Sequence, residues 1–160
     1  MTVLPTLQAV STKPQLPAVD GLFTTDDPPH LIGGKVPGRE SYFFPKHLGG
    51  GDPHAEPGAE LEEVALSRRG KVWSFTNSAY PPPPPFVVTE PYEPVVIAAV
   101  ELEAEKMVVL GQVVDGLTVD DLEVGMEMEL AVGPLYEDDD NVYLTWKWKP
   151  AEPEAAAESN

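Results

Sequence analysis

Five consecutive prolines, Pro81 to Pro85, follow the run Gly70-Lys-Val-Trp-Ser-Phe-Thr-Asn-Ser-Ala-Tyr80, and no other feature constrains the fold as tightly. Proline fixes φ near −65° and has no backbone N–H, so neither a helix nor a central strand can pass through this stretch. The prolines impose an extended, polyproline-like rod instead. Just before them, residues 72–76 alternate apolar and polar side chains, the pattern of a half-buried strand. A strand that feeds a stiff rod flanked by Tyr80 and Phe86 is suited to being held against something. Nineteen prolines and thirteen glycines among 160 residues favour short strands joined by turns. The chain is predicted to be mainly β.

Strand-like runs fall at 62–67, 71–79, 95–103, 107–114, 126–132 and 141–147. Residues 95–102 begin as a continuous apolar run and end in alternation, as a central strand leaving a core does. The short connection 103–106 makes 95–114 a hairpin. Short strands at this spacing, with one longer connection, predict a five-stranded OB-type barrel over 61–150. Residues 1–30 carry Pro5, Pro14, Pro17, Pro28 and Pro29 and few bulky apolar side chains. They read as an irregular, extended N-terminal arm that wraps a partner or stays mobile. Residues 31–60 are glycine-rich around one apolar cluster, Tyr42-Phe43-Phe44-Pro45, and 151–160 form an acidic tail expected to be disordered.

The formal charge of −17, from 27 acidic against 10 basic residues, argues against nucleic acid and anionic membranes as partners. Both need lysine and arginine along a groove or patch. The chain has no cysteine, which excludes disulfides, thiolate metal sites and cysteine nucleophiles. The first ten residues lack the charged start and apolar core of a signal peptide, and no apolar run approaches the ~20 residues that span a bilayer. A cytoplasmic protein is expected. His30, His47 and His54 sit in proline- or glycine-rich loops with no serine or acid at a recognisable catalytic spacing. Asp138-Asp139-Asp140 reads more simply as a charged turn between strands than as a cation site. No residue is assigned as catalytic.

Several patterns occur in a fixed order: Gly33-Gly34-Lys35, Tyr42-Phe43-Phe44-Pro45, Gly70-Lys-Val-Trp-Ser-Phe-Thr76, Pro91-Tyr92-Glu-Pro-Val-Val-Ile-Ala-Ala-Val-Glu-Leu102, Val109-Leu-Gly-Gln-Val-Val114 and Leu122-Glu-Val-Gly-Met-Glu-Met-Glu-Leu130. This series resembles the OB-fold acyl-CoA-associated proteins that carry a rubredoxin-like zinc ribbon, small partner subunits of thiolase-fold enzymes. The likeness covers residues 31–150. It implies a ribbon before the barrel and docking onto a thiolase-like dimer, whose active site supplies the chemistry. It also implies a coenzyme A thioester as ligand of the complex, with no covalently bound cofactor. Partner activities in the family include thiolase, hydroxymethylglutaryl-CoA synthase and retro-aldol cleavage of steroid side-chain thioesters. The last kind of carbon–carbon bond cleavage is the preferred expectation.

The chain departs from the family where metal is concerned. The places of the first cysteine pair fall close to Val36 and Arg39, and those of the second around Leu48 and Gly51. Structural zinc needs four donors at about 2.0–2.3 Å. His47, Asp52 and His54 offer three, at a spacing unlike a structural site. Zinc is not expected, and residues 31–60 are read as a degenerate ribbon.

On this resemblance, Arg68, Arg69 and Lys71 form the basic cluster that could meet the phosphates of coenzyme A; the simpler alternative is a charged turn that keeps a strand soluble. Strict alternation puts Trp73 and Phe75 on one face of their strand and Val72, Ser74 and Thr76 on the other. The two aromatics could stack on a base such as adenine or pack in the core. Residues Arg68, Arg69, Lys71, Trp73, Phe75 and Thr76 are thus the candidate ligand or channel residues. Tyr42, Phe43, Phe44, Pro45, Tyr80, Pro83 and Phe86 are the candidate partner interface, since prolines fixed in advance lose little entropy on docking. Trp146 and Trp148 read as packing or partner contacts. The alternative is a stand-alone OB module that binds nucleic acid or another oligomer, and the charge balance weighs against it.

Overall fold

The computed structural model describes residues 12–46, 53, 54, 56, 58, 60–85 and 90–151. Among these residues nine strands run in order: β1 Gln15–Pro17, β2 Ile32–Lys35, β3 Tyr42–Phe43, β4 Glu62–Ala65, β5 Arg69–Asn77, β6 Val96–Leu102, β7 Met107–Val113, β8 Glu127–Glu137 and β9 Val142–Pro150. A 3-10 turn at Val119–Asp121 lies between β7 and β8. Among the described residues no helix is long and apolar enough to cross a membrane.

Strands β5 to β9 close into the expected five-stranded OB barrel. Their order is β9-β7-β6-β5-β8, and β8 pairs back onto β9. All pairings are antiparallel except β7 with β9, which is parallel and holds only Gln112 with Lys147 and Val113 with Trp148. Val72, Ala98, Val100, Leu102, Val109, Met128, Leu130 and Trp148 fill the interior. Between β7 and β8 the Thr118 hydroxyl accepts the Asp120 amide, and Asp121 returns a bond to the Thr118 amide. This capping box fixes the turn that brings buried Leu122 under the barrel.

The described part of the N-terminal arm wraps this chain's own barrel. Strand β1 adds to β9 in parallel, pairing Gln15 with Val142 and Pro17 with Leu144. Phe23 bridges to Leu31, and both are buried in the common core. Sequence gave no warning of this, because a three-residue strand whose partner is more than a hundred positions away carries no local periodicity.

A second, three-stranded sheet has the order β3-β2-β4. The run at 62–67 therefore joins residues 32–43 rather than the barrel. Gly33 is required where β2 is squeezed between neighbours: a Cβ there would lie 2.7 Å from Leu66 Cδ2 and 3.0 Å from the Phe43 carbonyl oxygen. Beyond β2 the chain turns sharply, with the Val36 amide donating to the Ser41 carbonyl at 3.0 Å and the Arg39 amide to the Val36 carbonyl at 3.1 Å.

Candidate ligand and partner surfaces

Of the basic cluster at the start of β5, the two arginines are engaged within the chain. Arg68 Nε donates to the Pro29 carbonyl at 2.9 Å, Nη1 to Glu129 Oε2 at 3.2 Å and Nη2 to the Leu130 carbonyl at 3.2 Å. Its guanidinium braces the arm against β8, with the fork geometry that lets arginine satisfy several acceptors at once. Arg69 approaches the other oxygen of Glu129 at 3.7 Å. Lys71 is exposed, in register with Glu101 on one side and Glu127 on the other. Glu129 thus draws the two arginines inward, while the lysine stands apart on the surface.

The aromatic pair is separated, against the expectation that Trp73 and Phe75 share a face. Val72 pairs with Val100 and Ser74 with Ala99, which leaves Trp73 as the extra residue of a β-bulge. Phe75 then pairs with buried Ala98 and packs against the core. Trp73 is 62% exposed. The bulge adds one residue to one strand and so resets the alternation. Val72 and Phe75 point inward, and Ser74 and Thr76 point outward. A purely alternating pattern cannot reveal an inserted residue.

The proline segment, which turns at Pro84 and Pro85 where an extended rod was expected, leaves the barrel through a polar latch. The Tyr92 hydroxyl donates to the Ser78 carbonyl at 2.8 Å and lies 2.9 Å from the Ser78 hydroxyl, and the Ser78 amide donates to the Val95 carbonyl at 2.9 Å. Beyond this closed base, Tyr80 and Pro83 are exposed, Tyr80 to 84%. Phe86 lies outside the described residues. Tyr42, Phe43, Phe44 and Pro45 are half-buried. Phe44 meets Trp146 edge-on with ring centroids 5.4 Å apart, and Phe23 meets the same indole at 6.0 Å. That contact couples the small sheet and the arm to the barrel.

Trp146 fills the gap where β7 and β9 part, its Nε1 donating to the Leu110 carbonyl at 3.0 Å. An apolar groove opens beside it, lined by Ile97, Leu110, Gly111, Gln112, Leu135, Thr145 and Trp146. Sequence reasoning missed this groove. One signal was available: once Val109 is placed inside, alternation forces Val108 and Leu110 outward, and two large apolar residues facing solvent call for an explanation.

At the far end of the β8–β9 hairpin, Asp138 accepts from the Asp140 and Asn141 amides at 2.8 and 2.7 Å and from the Tyr143 hydroxyl at 2.9 Å. The Asn141 and Asp140 amides, then the Tyr143 hydroxyl, hold its carboxyl below the usual carboxylate range. The aspartate run is thus a turn whose first carboxylate closes the hairpin. Lys13 reaches the same tip, pairing with Glu137 at 2.7 Å.

The residues present do not fit a zinc ribbon. The chain has no cysteine, Val36 is buried, and Arg39 stands on the turn. Among the described residues no three histidine, aspartate or glutamate side chains are grouped to hold a metal ion. His47 and Asp52 lie outside them.

The chain is 35% identical over 102 residues to a DUF35 domain-containing scaffold protein of Methanocaldococcus jannaschii, covering 62% of this chain and 68% of that one. The chain belongs to the DUF35 family. Residues 63–133, from β4 into β8, match the family model described as the C-terminal OB-fold domain of ChsH2. Among solved structures, a DUF35 chain of the "Ltp2-ChsH2(DUF35) aldolase" superposes with a TM-score of 0.54 at 24% identity, covering 76% of this chain and 84% of that one. The DUF35 barrel of that structure and the present one share the same fold.

Proposed function

We propose that this DUF35 protein is a non-catalytic scaffold subunit that docks onto a thiolase-fold enzyme and helps hold or channel an acyl-CoA thioester. The nucleophile, acid and base of the reaction stand on the partner. The observation that carries this reading is the outward face of the barrel. Trp73, Val108 and Leu110 are exposed there on a well-packed barrel, as expected of a surface that is covered in a complex. The 35% identity to a scaffold protein supports the same role.

Within this reading, Lys71 is the base best placed to meet a coenzyme A phosphate, because Arg68 and Arg69 are already paired with Glu129. Tyr80 and Pro83 extend the contact along the proline segment. We assign the complex to carbon–carbon bond cleavage of a side-chain thioester, retro-aldol or thiolytic, in steroid or related degradation in the cytoplasm. The resemblance noted from the sequence, together with the aldolase to which the fold is similar, supports that assignment. Co-expression with a thiolase-fold enzyme from the same source tests it. A stable complex that cleaves an acyl-CoA the enzyme alone does not cleave is the expected result. Equal turnover with and without this chain would remove the accessory role.

A further inference from the structure

The bulge in β5 sorts two aromatic side chains to opposite sides of one sheet, and its outward product has the makings of a docking anchor. Without the extra residue, Trp73 and Phe75 would share a face, and the barrel would lose an interior ring or gain an exposed one. With it, Phe75 stays against the core while Trp73 is 62% exposed. Bulges commonly re-aim a side chain in this way.

The surroundings of Trp73 are apolar. Ser74, beside it, is in register with Ala99, and Ala99 with Leu110, which is 62% exposed. Ala99 faces outward yet is only 6% exposed, so larger neighbouring side chains shelter it. Val108, 42% exposed, lies two residues along β7 from Leu110 on the same face. On the other side, the Gly125 amide donates to the Val72 carbonyl at 2.8 Å, which brings Val124, 69% exposed, beside the bulge.

The rim is acidic. Glu101 stands between Lys71 and Val108 in register, Glu127 pairs with Lys71 from the other strand, and exposed Glu123 precedes Val124. A second copy of a chain with charge −17 would bring like charges together, and a nucleic acid, which needs a run of lysine and arginine, would find only Lys71 on this face. We propose that the β5–β7 face centred on Trp73 docks a protein surface on the thiolase-fold partner: an apolar pocket that takes the indole, rimmed by lysine or arginine. This rests on the scaffold reading above. Tryptophans in such positions are among the commonest binding hot spots, and rim charges of opposite sign speed encounter.

The test titrates the purified full chain against a purified thiolase-fold subunit from the same source, measuring Kd for wild type, Trp73→Ala, Leu110→Glu and, as a control on another face, Val19→Ser. Thermal unfolding of each variant verifies that it is folded; Leu110→Glu serves should Trp73→Ala fail. Loss of affinity by roughly thirtyfold or more in the two face variants, with the control close to wild type, is the expected result. Weakening of the wild-type complex as ionic strength rises is expected from the charged rim. Unchanged Kd in both face variants overturns this surface and leaves the scaffold reading standing. No wild-type binding overturns the scaffold reading, and this surface with it. A wild-type homodimer that Trp73→Ala converts to monomer overturns the choice of partner.

Discussion

The Glu105 carboxylate accepts both the backbone N–H of Ser67, at 2.9 Å, and its hydroxyl, at 3.0 Å. These two bonds join the β6–β7 turn of the barrel to the segment that leaves the small sheet, so one side chain from a tight turn sets how the two sheets meet. Replacing it with alanine leaves a partly buried amide unsatisfied. Glu105→Ala is expected to lower stability by about 1–3 kcal/mol. Urea unfolding checks this, and a shift in midpoint without a change in slope is the expected form.

Trp73 and Phe75 are neighbours in sequence with opposite consequences. Trp73→Ala removes an exposed ring and should leave the melting temperature nearly unchanged. Phe75→Ala opens a cavity against Ala98 and should cost about 2–4 kcal/mol, at or below the range for a fully buried ring because Phe75 is only half-buried. Calorimetry of the two variants separates them. Equal losses would mean that the bulge is absent in solution.

Gly111 sits where no side chain fits. A Cβ there would fall 2.9 Å from Trp146 Nε1 and 2.9 Å from both Cδ1 and Nε1 of Trp148. Trp148 is fully buried, and Trp146 is held by its bond to the Leu110 carbonyl, so neither indole can give way cheaply. Gly111→Ala is predicted to destabilise the barrel by about 1–3 kcal/mol through overpacking. Tryptophan fluorescence should report the displacement of both rings.

The hairpin tip should respond to pH at both extremes. Asp138 is held below its ordinary value of 3.8 by the Asn141 and Asp140 amides and the Tyr143 hydroxyl. A depressed carboxyl contributes stability that is present above 3.8 and is lost as pH falls through the folded value. Lys13 is raised above 10.5, first by its hydrogen bond to Glu137, so its contribution is present below 10.5 and is lost as pH rises through the folded value. Measured by hydrogen exchange relative to free-chain exchange at the same pH, protection of the Asp140 and Asn141 amides should fall in acid, and protection in β1 should fall in alkali as Lys13 lets go. Asp138→Ala should abolish the first effect and leave β6 and β7 unchanged.

How much of this was legible in the sequence depended on how local each cause was. The strands of the 95–114 hairpin were placed to within a residue, because their apolar pattern and their tight turn lie together in the chain. Strand β8 runs to Glu137, five residues beyond the expected end at 132. Gly133 and Pro134 read as a stop, yet Pro134 pairs with Leu144 just before a bulge that absorbs the irregularity. Strands β1 to β3 went unread because each spans only two to four residues, too few to show a period, and β1 also owes its existence to a distant partner. In the candidate site, the sequence presented Arg68 as a cation at a strand end. Only the fold reveals that Pro29, Glu129 and Leu130 converge on it. The outward apolar face was foreshadowed by Val108 and Leu110 but could not be delimited without the register of β5 on β6.

Strand β9 is the common seam of the molecule, shared by β8, β7 and β1. It is also the last strand of the described chain to leave the ribosome. Until residues 142–150 emerge, β8-β5-β6-β7 is an open sheet with two unsatisfied edges, and the N-terminal arm has nothing to pair with. Strand β9 meets β8 across a tight turn, but its pairings with β7 and with the arm span long stretches of chain, which makes closure slow and leaves those edges exposed to other nascent chains. Barrel closure and docking of the arm therefore both wait on β9, so a scaffold of this design becomes able to meet a partner only once this one strand is in place.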